Sequence, residues 1–169
     1  SRVIVCAYRL GLVNTTTELE KKFNKKYEDD KQLKALLQNY NAEFLYELGR
    51  YYQYKGKIVN YELAYKTYER LLEGYKGVAV VPEVMYEMGV IRFNQGKSKE
   101  GFDLFQQIPQ KFPDHDILPK VYLRMAYEAF RLEQTQTAID ACKLALQNPN
   151  IKLADAKSGT GFLIKVYKA

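Results

Sequence analysis

Large apolar residues in this chain recur three or four positions apart, with polar residues between them. This spacing places them on one face of an α-helix, whereas a half-buried strand alternates apolar and polar residues. One such stripe near the start of the chain is formed by Leu33, Leu36, Leu37 and Tyr40. No segment shows the alternation of strands bounded by turns. The pattern therefore predicts an all-α fold without a sheet.

A short apolar motif occurs three times in the middle of the chain. Each copy has a large apolar residue, then two other positions, then Leu or Met followed by a small residue. The small residues are Gly49, Gly89 and Ala126, separated by 40 and 37 positions. Each copy is followed by a polar turn and a second helical stripe, which ends near a proline in the second and third copies. Since proline stops a helix, the arrangement predicts three helix pairs.

Small residues explain how such pairs would pack. Two antiparallel helices approach closely only where one of them presents a small side chain at the crossing. The sequence offers one such combination for each pair: Gly49 with Ala64, Gly89 with Gly101, and Ala126 with Ala138. A single pair cannot bury both of its faces, so the pairs are expected to stack on one another. An ordinary antiparallel helical bundle is the alternative.

The arrangement resembles the tetratricopeptide repeat (TPR) family. The second copy fits the family pattern without a gap at Met85, Met88, Gly89, Phe105 and Pro113. The first copy fits with three extra residues in its turn, and in the third copy the proline comes one position early. The resemblance implies an all-α, right-handed superhelix of antiparallel helix pairs, a TPR-like α-solenoid.

The resemblance also divides the chain into segments. It implies three repeats, at about residues 41–78, 79–115 and 116–150. Residues 1–40 are then N-terminal helices, whose spacing suits a further degenerate repeat, and residues 151–169 are a C-terminal capping helix.

Charge is unevenly distributed along the 169 residues, which carry a net charge of +6. Residues 41–150 are balanced, with 14 basic and 14 acidic side chains, so the basic excess lies in the two flanks. A nucleic-acid-binding protein concentrates basic charge on its folded reading surface. The densest basic run, at residues 21–26, is followed at once by acidic residues and is typical of a solvated helix face. The sequence therefore predicts no nucleic-acid partner.

Candidate catalytic chemistry is sparse. The only histidine, His115, lies in an Asp-rich turn between predicted helices. The segment at 158–161, Ser-Gly-Thr-Gly, lacks the lysine of a phosphate-binding loop. Cys6 and Cys142 are too few for a disulfide framework and are expected to be buried thiols. The sequence predicts a protein that is not an enzyme, with no catalytic residue, no metal site and no cofactor.

In the TPR family, the first helix of each pair lines a concave groove, so the resemblance implies a set of groove residues. Within each helix, most of these residues are spaced by four or seven positions and therefore share a face. The predicted partner-binding residues are Tyr46, Arg50, Tyr54, Tyr86, Phe93, Tyr127, Phe130 and Arg131. About half of the aromatic rings in the groove are expected to be partly exposed.

We therefore expect a protein–protein interaction scaffold that binds a partner peptide or helix in this aromatic groove. The alternative is a structural spacer or an assembly subunit of a larger complex, acting through its ends or its convex face. The segment at 112–122 resembles the junctions of bacterial envelope TPR proteins, including outer-membrane-assembly lipoproteins and the Tol–Pal coordinator group. This resemblance favours the bacterial periplasm or cell envelope, with the cytoplasm as the alternative. No apolar run is long enough for a transmembrane segment.

Overall fold

The computed structural model describes residues 30–55 and 59–168, together with Glu18, Lys21, Lys22, Lys25 and Lys26. Residues 30–55 and 59–168 contain seven α-helices and no strand, which confirms the predicted all-α fold. The helices are α1 (Lys31–Arg50), α2 (Tyr61–Gly74), α3 (Val81–Asn94), α4 (Ser98–Lys111), α5 (Leu118–Arg131), α6 (Thr135–Gln147) and α7 (Leu153–Lys168). A π-helical turn, Tyr51–Lys55, directly follows α1.

The chain forms two compact units, Ser1–Val84 and Met85–Ala169. The first unit contains α1 and α2, and the second contains α4 to α7 with all but the first turn of α3. α1 begins where the side chain of Asp30 accepts a hydrogen bond from the backbone amide of Leu33 at 2.9 Å, the usual N-cap contact. It then runs without a break past residue 40, so the first helix of the first pair begins ten residues before the predicted boundary.

The helices α2 to α6 begin at a fixed interval. α2, α4 and α6 begin at Tyr61, Ser98 and Thr135, which are 37 residues apart. α3 and α5 begin at Val81 and Leu118, which are also 37 residues apart. The helices over the residues of the three predicted pairs are α1 and α2, α3 and α4, and α5 and α6.

The turns inside the second and third pairs have the same backbone hydrogen bonds. In the turn after α3, the amide of Lys97 donates to the carbonyl of Arg92 at 2.9 Å. In the turn after α5, the amide of Gln134 donates to the carbonyl of Ala129 at the same distance. Each bond joins an amide to the carbonyl five residues before it, as in a Schellman motif, which satisfies carbonyl groups at the end of a helix.

In the first unit, α1 and α2 meet at Gly49, which lies directly against the ring of Tyr68. A Cβ atom on residue 49 would overlap that ring, so this close approach requires glycine. Tyr68 is fully buried, and its hydroxyl donates to Oε1 of Gln53 at 3.2 Å. The π-helical turn thus supplies a polar partner for the one polar atom of the Tyr68 side chain.

The apolar stripe predicted at the start of α1 is only partly buried. Leu37 is buried, whereas Leu36 and Tyr40 are each about half exposed. The buried face of α1 follows residues spaced by about four positions: Leu37, Asn41, Ala42, Leu45 and Gly49. Leu36 and Tyr40 lie beside that face, because the contact of Gly49 with α2 fixes the side of α1 that is covered.

In the second unit, α3 and α4 contact each other at two glycines. A Cβ atom on Gly89 would lie 2.5 Å from Phe105, and one on Gly101 would lie 2.7 Å from Phe93. Residue numbers fall on α3 as they rise on α4, so the two helices are antiparallel. The core then continues through α5, α6 and α7, where Ala126, Ala138 and Cys142 are among its fully buried members.

Candidate interaction surface

α5 and α7 lie side by side in the second unit. Gly159 lies next to Leu123, because a Cβ atom there would be 2.9 Å from Cδ2 of that leucine. Further along both helices, the ring of Phe162 lies 4.4 Å from the ring of Tyr127 and 5.7 Å from that of Phe130, measured between centroids. The contacts advance along α5 and α7 in the same direction, so these helices are parallel.

Tyr127 lies at this junction with part of its ring exposed. The ring packs against Phe162, and the hydroxyl lies 3.2 Å from Oγ of Ser158 on α7. The side chain nevertheless remains 40% exposed. Tyr127 is therefore an aromatic residue that is fixed in position by its neighbours and is still accessible to a partner.

Basic side chains lie on the same face of α5 as Tyr127. Lys120, Arg124, Tyr127 and Arg131 are spaced by three or four positions, which places them on one side of the helix. We call these four residues the α5 face. The α5 face combines one aromatic ring with three positively charged side chains.

Two of these cations are held by one carboxylate. Glu128 is buried, and its side chain accepts from Nη2 of Arg124 and from Nη1 of Arg131, each at 2.8 Å. The side chain of Arg131 is 66% exposed despite this contact. One carboxylate thus positions two guanidinium groups, and the α5 face keeps a positive balance because Lys120 adds a third cation.

Tyr86 and Phe93, two of the predicted groove residues, are buried inside the α3–α4 pair rather than exposed. The ring of Tyr86 stacks on Phe105 with centroids 5.3 Å apart, and Nζ of Lys120 lies 4.3 Å from its centroid. Phe93 packs over Gly101 and meets the edge of Phe102 at 5.0 Å. Neither ring can serve as an exposed anchor, because Phe93 fills the space that Gly101 opens and Tyr86 is covered by Phe105 and Lys120.

Phe130 is partly buried, with its ring edge-on to Phe162. It therefore supports the junction of α5 and α7, beside Tyr127. Of the predicted groove residues in the second unit, Tyr127 and Arg131 are the two whose side chains are exposed.

The remaining predicted residues belong to the first unit. The guanidinium of Arg50 lies 5.7 Å from the centroid of the Tyr46 ring and pairs with Glu47 at 3.4 Å. Tyr54 is half exposed in the π-helical turn, and its hydroxyl accepts from Nε2 of Gln53 at 2.7 Å. No pattern in the sequence indicates this π-helical turn. Tyr54 is assigned to the groove because it follows Arg50 by four positions, and that spacing places two residues on one face of an α-helix but not of a π-helix.

The side chains of His115 and Cys142, the two candidates for catalytic chemistry in the second unit, both make hydrogen bonds within the fold. Nδ1 of His115 accepts from the backbone amide of Ile117 at 3.2 Å, within the turn before α5. Cys142 is a free, buried thiol whose Sγ donates to the carbonyl of Gly159 at 3.3 Å. Burial raises the pKa of the Cys142 thiol, which disfavours the reactive thiolate. Cys6 lies outside the described residues.

The part of the chain that the structure describes contains no cluster of three His, Cys, Asp or Glu side chains arranged to hold a metal ion. Among the described helices, none is both long and apolar enough to cross a membrane. The chain matches no protein-family model and no curated protein.

Proposed function

We propose that this chain is a protein-interaction scaffold and that the α5 face binds an acidic segment of a partner through an apolar anchor residue. The observation that carries this proposal is Tyr127, a ring that is positioned by α7 and remains 40% exposed. Tyrosine and arginine are the residue types that most often dominate the binding energy of an interface. An aromatic ring that is already fixed loses little conformational entropy when a partner binds.

The charge of the α5 face indicates the chemistry of the partner. Lys120, Arg124 and Arg131 contribute three positive charges, and Glu128 is buried between the two arginines. Such a surface attracts carboxylates and repels basic segments. The fitting partner is therefore a helix or extended segment with one large apolar side chain and acidic residues near it.

We also propose that the helix pairs form a right-handed superhelix of the TPR type. Support comes from the 37-residue interval between α2, α4 and α6 and from the parallel arrangement of α5 and α7. Further support comes from the glycine–aromatic crossings at Gly49 and Gly89. In such a superhelix the first helices lie side by side, so a partner could contact α5 and its neighbours together.

The test begins with selection of binding peptides from a displayed random library against the whole chain. The proposal expects an enriched motif that combines acidic residues with one large apolar residue. The dissociation constant of a selected peptide is then measured for the parent and for a double variant, Tyr127→Ala with Arg131→Gln. Glutamine at 131 can still hydrogen-bond Glu128, so the change removes the charge and keeps that contact.

The double variant should bind the peptide roughly 30-fold more weakly, a loss of about 2 kcal/mol, with an unchanged helical circular-dichroism signal. Tyr167→Ala is the matched control, because Tyr167 is also an exposed tyrosine of the second unit and lies outside the α5 face. If the double variant binds as tightly as the parent, the α5 face is not the site, and the spacer function becomes the leading hypothesis.

A further inference from the structure

Glu128 differs from the other acidic residues that form ion pairs because it is buried. In the ion pairs of Arg50, Lys66 and Arg92, the carboxylate side chain is more than half exposed. The side chain of Glu128 is only 5% exposed. Removing a carboxylate from water costs free energy that a surface pair does not incur. The two arginine contacts, each at 2.8 Å, offset this cost beneath the α5 face.

Glu128 joins two side chains that start far apart on α5. Arg124 and Arg131 are separated by seven positions, which is two helical turns or about 10 Å along the axis. Glu128 lies four positions after the first and three before the second, so it reaches both. Arg124 contacts Oε1 and Arg131 contacts Oε2 of the same carboxylate. The two guanidinium groups therefore meet at one place on the helix surface.

A partner at this place contacts the arginines and not Glu128. The side chain of Arg131 is 66% exposed and that of Arg124 is 31% exposed, whereas the carboxylate is covered. A guanidinium group has five N–H donors, so one contact with Glu128 leaves further donors on each arginine. Two guanidinium groups and one carboxylate leave a net charge of +1. One carboxylate of a partner matches that charge.

The contacts of Glu128 also lower the entropic cost of binding. A free arginine side chain has many rotamers, and fixing it when a partner binds costs conformational entropy. Glu128 restricts Arg124 and Arg131 in the folded chain before a partner arrives. The ring of Tyr127 is restricted in the same way by Phe162. The ring and the two guanidinium groups thus form a prearranged site for an apolar side chain with a carboxylate beside it.

We propose that Glu128 is a positioning residue, which holds Arg124 and Arg131 so that both guanidinium groups bind one carboxylate of the partner segment. This inference rests on the proposed function of the α5 face. It adds that the acidic residue lies next to the apolar anchor residue, because Tyr127 is within about one helical turn of each arginine. The inference also runs against charge alone, since the negative charge of Glu128 repels an acidic segment.

The first experiment compares the parent with Glu128→Gln. The probes are the tightest peptide of the library selection and its neutral version, in which every Asp or Glu is replaced by Asn or Gln. Removal of a negative charge should by itself tighten binding of the acidic peptide. We expect binding about tenfold weaker instead, since two arginine side chains must then be immobilised on binding. The neutral peptide should bind both proteins equally, whereas a damaged α5 face would weaken both peptides.

Glu100→Gln is the matched control, because it removes the same charge from an ion pair of the second unit, that of Arg92. It should bind the acidic peptide at least as tightly as the parent. Arg131→Lys is a second variant, which keeps the charge at a largely exposed position and should therefore fold. Lysine has a compact charge in place of a planar set of donors, so binding of the acidic peptide should be about fivefold weaker.

A mutant cycle tests whether both arginines bind one carboxylate. Each acidic residue of the peptide is neutralised in turn, and its binding to Arg124→Gln and to Arg131→Gln is measured. The same acidic residue should couple to both arginines, so its replacement should remove most of the effect of either variant. Coupling of the two arginines to different acidic residues would overturn the shared site.

The positioning role is overturned if Glu128→Gln binds the acidic peptide as tightly as the parent or more tightly. If that variant loses its helical circular-dichroism signal, unchanged binding by Arg131→Lys overturns the role instead. In both cases the α5 face remains the binding site as long as the variant with Tyr127→Ala and Arg131→Gln binds weakly. Normal binding by that double variant, or the absence of an enriched peptide, overturns the proposed function itself, so the two failures are distinguishable.

Discussion

At the scale of single residues, Gly96 and Glu133 occupy the same place in two successive turns, 37 positions apart. Both have a left-handed backbone, with φ of 76° and 61° respectively. The amide of Gly96 donates to Phe93 at 3.0 Å, and that of Glu133 donates to Phe130 at 3.1 Å. Glycine adopts this conformation without steric strain, whereas a residue with a Cβ atom does not. The turn geometry is thus set by the repeat, and Glu133 is strained within it.

Glu133→Gly should therefore stabilise the second unit. We expect the free energy of unfolding to rise by about 0.5–1 kcal/mol, which is the relief of left-handed strain less the added entropy of an unfolded glycine. Urea denaturation of the parent and variant measures the change. Glu133→Ala removes the same charge but keeps a Cβ atom, so it should give no gain. A gain equal to that of glycine would mean that charge, not backbone strain, is responsible.

Cys142 makes stability depend on pH. Its folded pKa is raised by burial above the ordinary thiol value of about 8.5. Below that value the thiol is protonated in both states. Above it the unfolded chain loses the proton first, so the free energy of unfolding falls as pH rises towards the folded pKa.

The stability advantage of the parent over Cys142→Ala should therefore shrink between about pH 8 and pH 10. In a background with Cys6→Ser, a disulfide reagent should modify Cys142 much more slowly in the folded chain than in urea. Equal modification rates in the two conditions would show that the thiol is accessible.

At the scale of helices, α1–α2 and α3–α4 both cross where an aromatic ring lies against a glycine, but the residues around the ring differ. In α1–α2 the buried ring is Tyr68, and Gln53 meets its hydroxyl. In α3–α4 the corresponding ring is Phe105, and the apolar ring of Phe93 lies 5.3 Å from it. The hydroxyl of Tyr68 thus has a buried hydrogen-bond partner, which the ring of Phe105 does not need. Gly89 and Gly49 make both arrangements possible by admitting a ring at the crossing.

Gly89→Leu should be severely destabilising. A Cβ atom there would lie 2.5 Å from the fully buried ring of Phe105, so either the ring or the helix must move. Overpacking of this kind lowers the free energy of unfolding by about 1–3 kcal/mol or more. Gly161→Leu is the matched control, because it makes the same substitution in α7, where a Cβ atom on residue 161 would make no contact within 4 Å. Equal melting temperatures for the parent and Gly89→Leu would contradict the close approach of α3 and α4.

At the scale of the whole molecule, charge separates the flanks from the helix pairs. Residues 41–150 are balanced at 14 basic and 14 acidic side chains, and the excess of the +6 net charge lies outside them. Within the pairs, several basic groups are paired with carboxylates, as in the contact of Nε of Arg92 with Glu100 at 2.9 Å. The local positive balance of the α5 face covers a single helix, which is a small surface for a nucleic-acid duplex.

We therefore expect only weak, salt-dependent binding to duplex DNA at physiological salt. Fluorescence anisotropy with a labelled duplex measures it, and raising the salt concentration should abolish any residual signal. Sub-micromolar affinity that survives deletion of residues 1–29 together with replacement of the exposed lysines Lys157, Lys165 and Lys168 by glutamine would contradict this expectation.

The helices and the places where they cross follow from the order of residues along the chain. Apolar spacing and the small residues Gly49, Gly89 and Ala126 predict three helix pairs without a sheet. Both are local properties, because the geometry of a helix alone fixes which residues share one of its faces. The sequence is therefore sufficient to specify the paired helices and the sides on which their apolar residues lie, but not the start of α1, the π-helical turn or the ring that meets each glycine.

Which of those sides is covered depends on the packing between helices. α3 is buried at every position from Val84 to Ile91, so spacing alone does not show that Tyr86 points into the pair and not towards a partner. At the π-helical turn, Gln53 contacts Tyr68 of another helix, which no local pattern indicates. The exposure of Tyr127 depends on how α7 packs beside α5, because burial is a property of the space between helices and not of the order of residues along one of them.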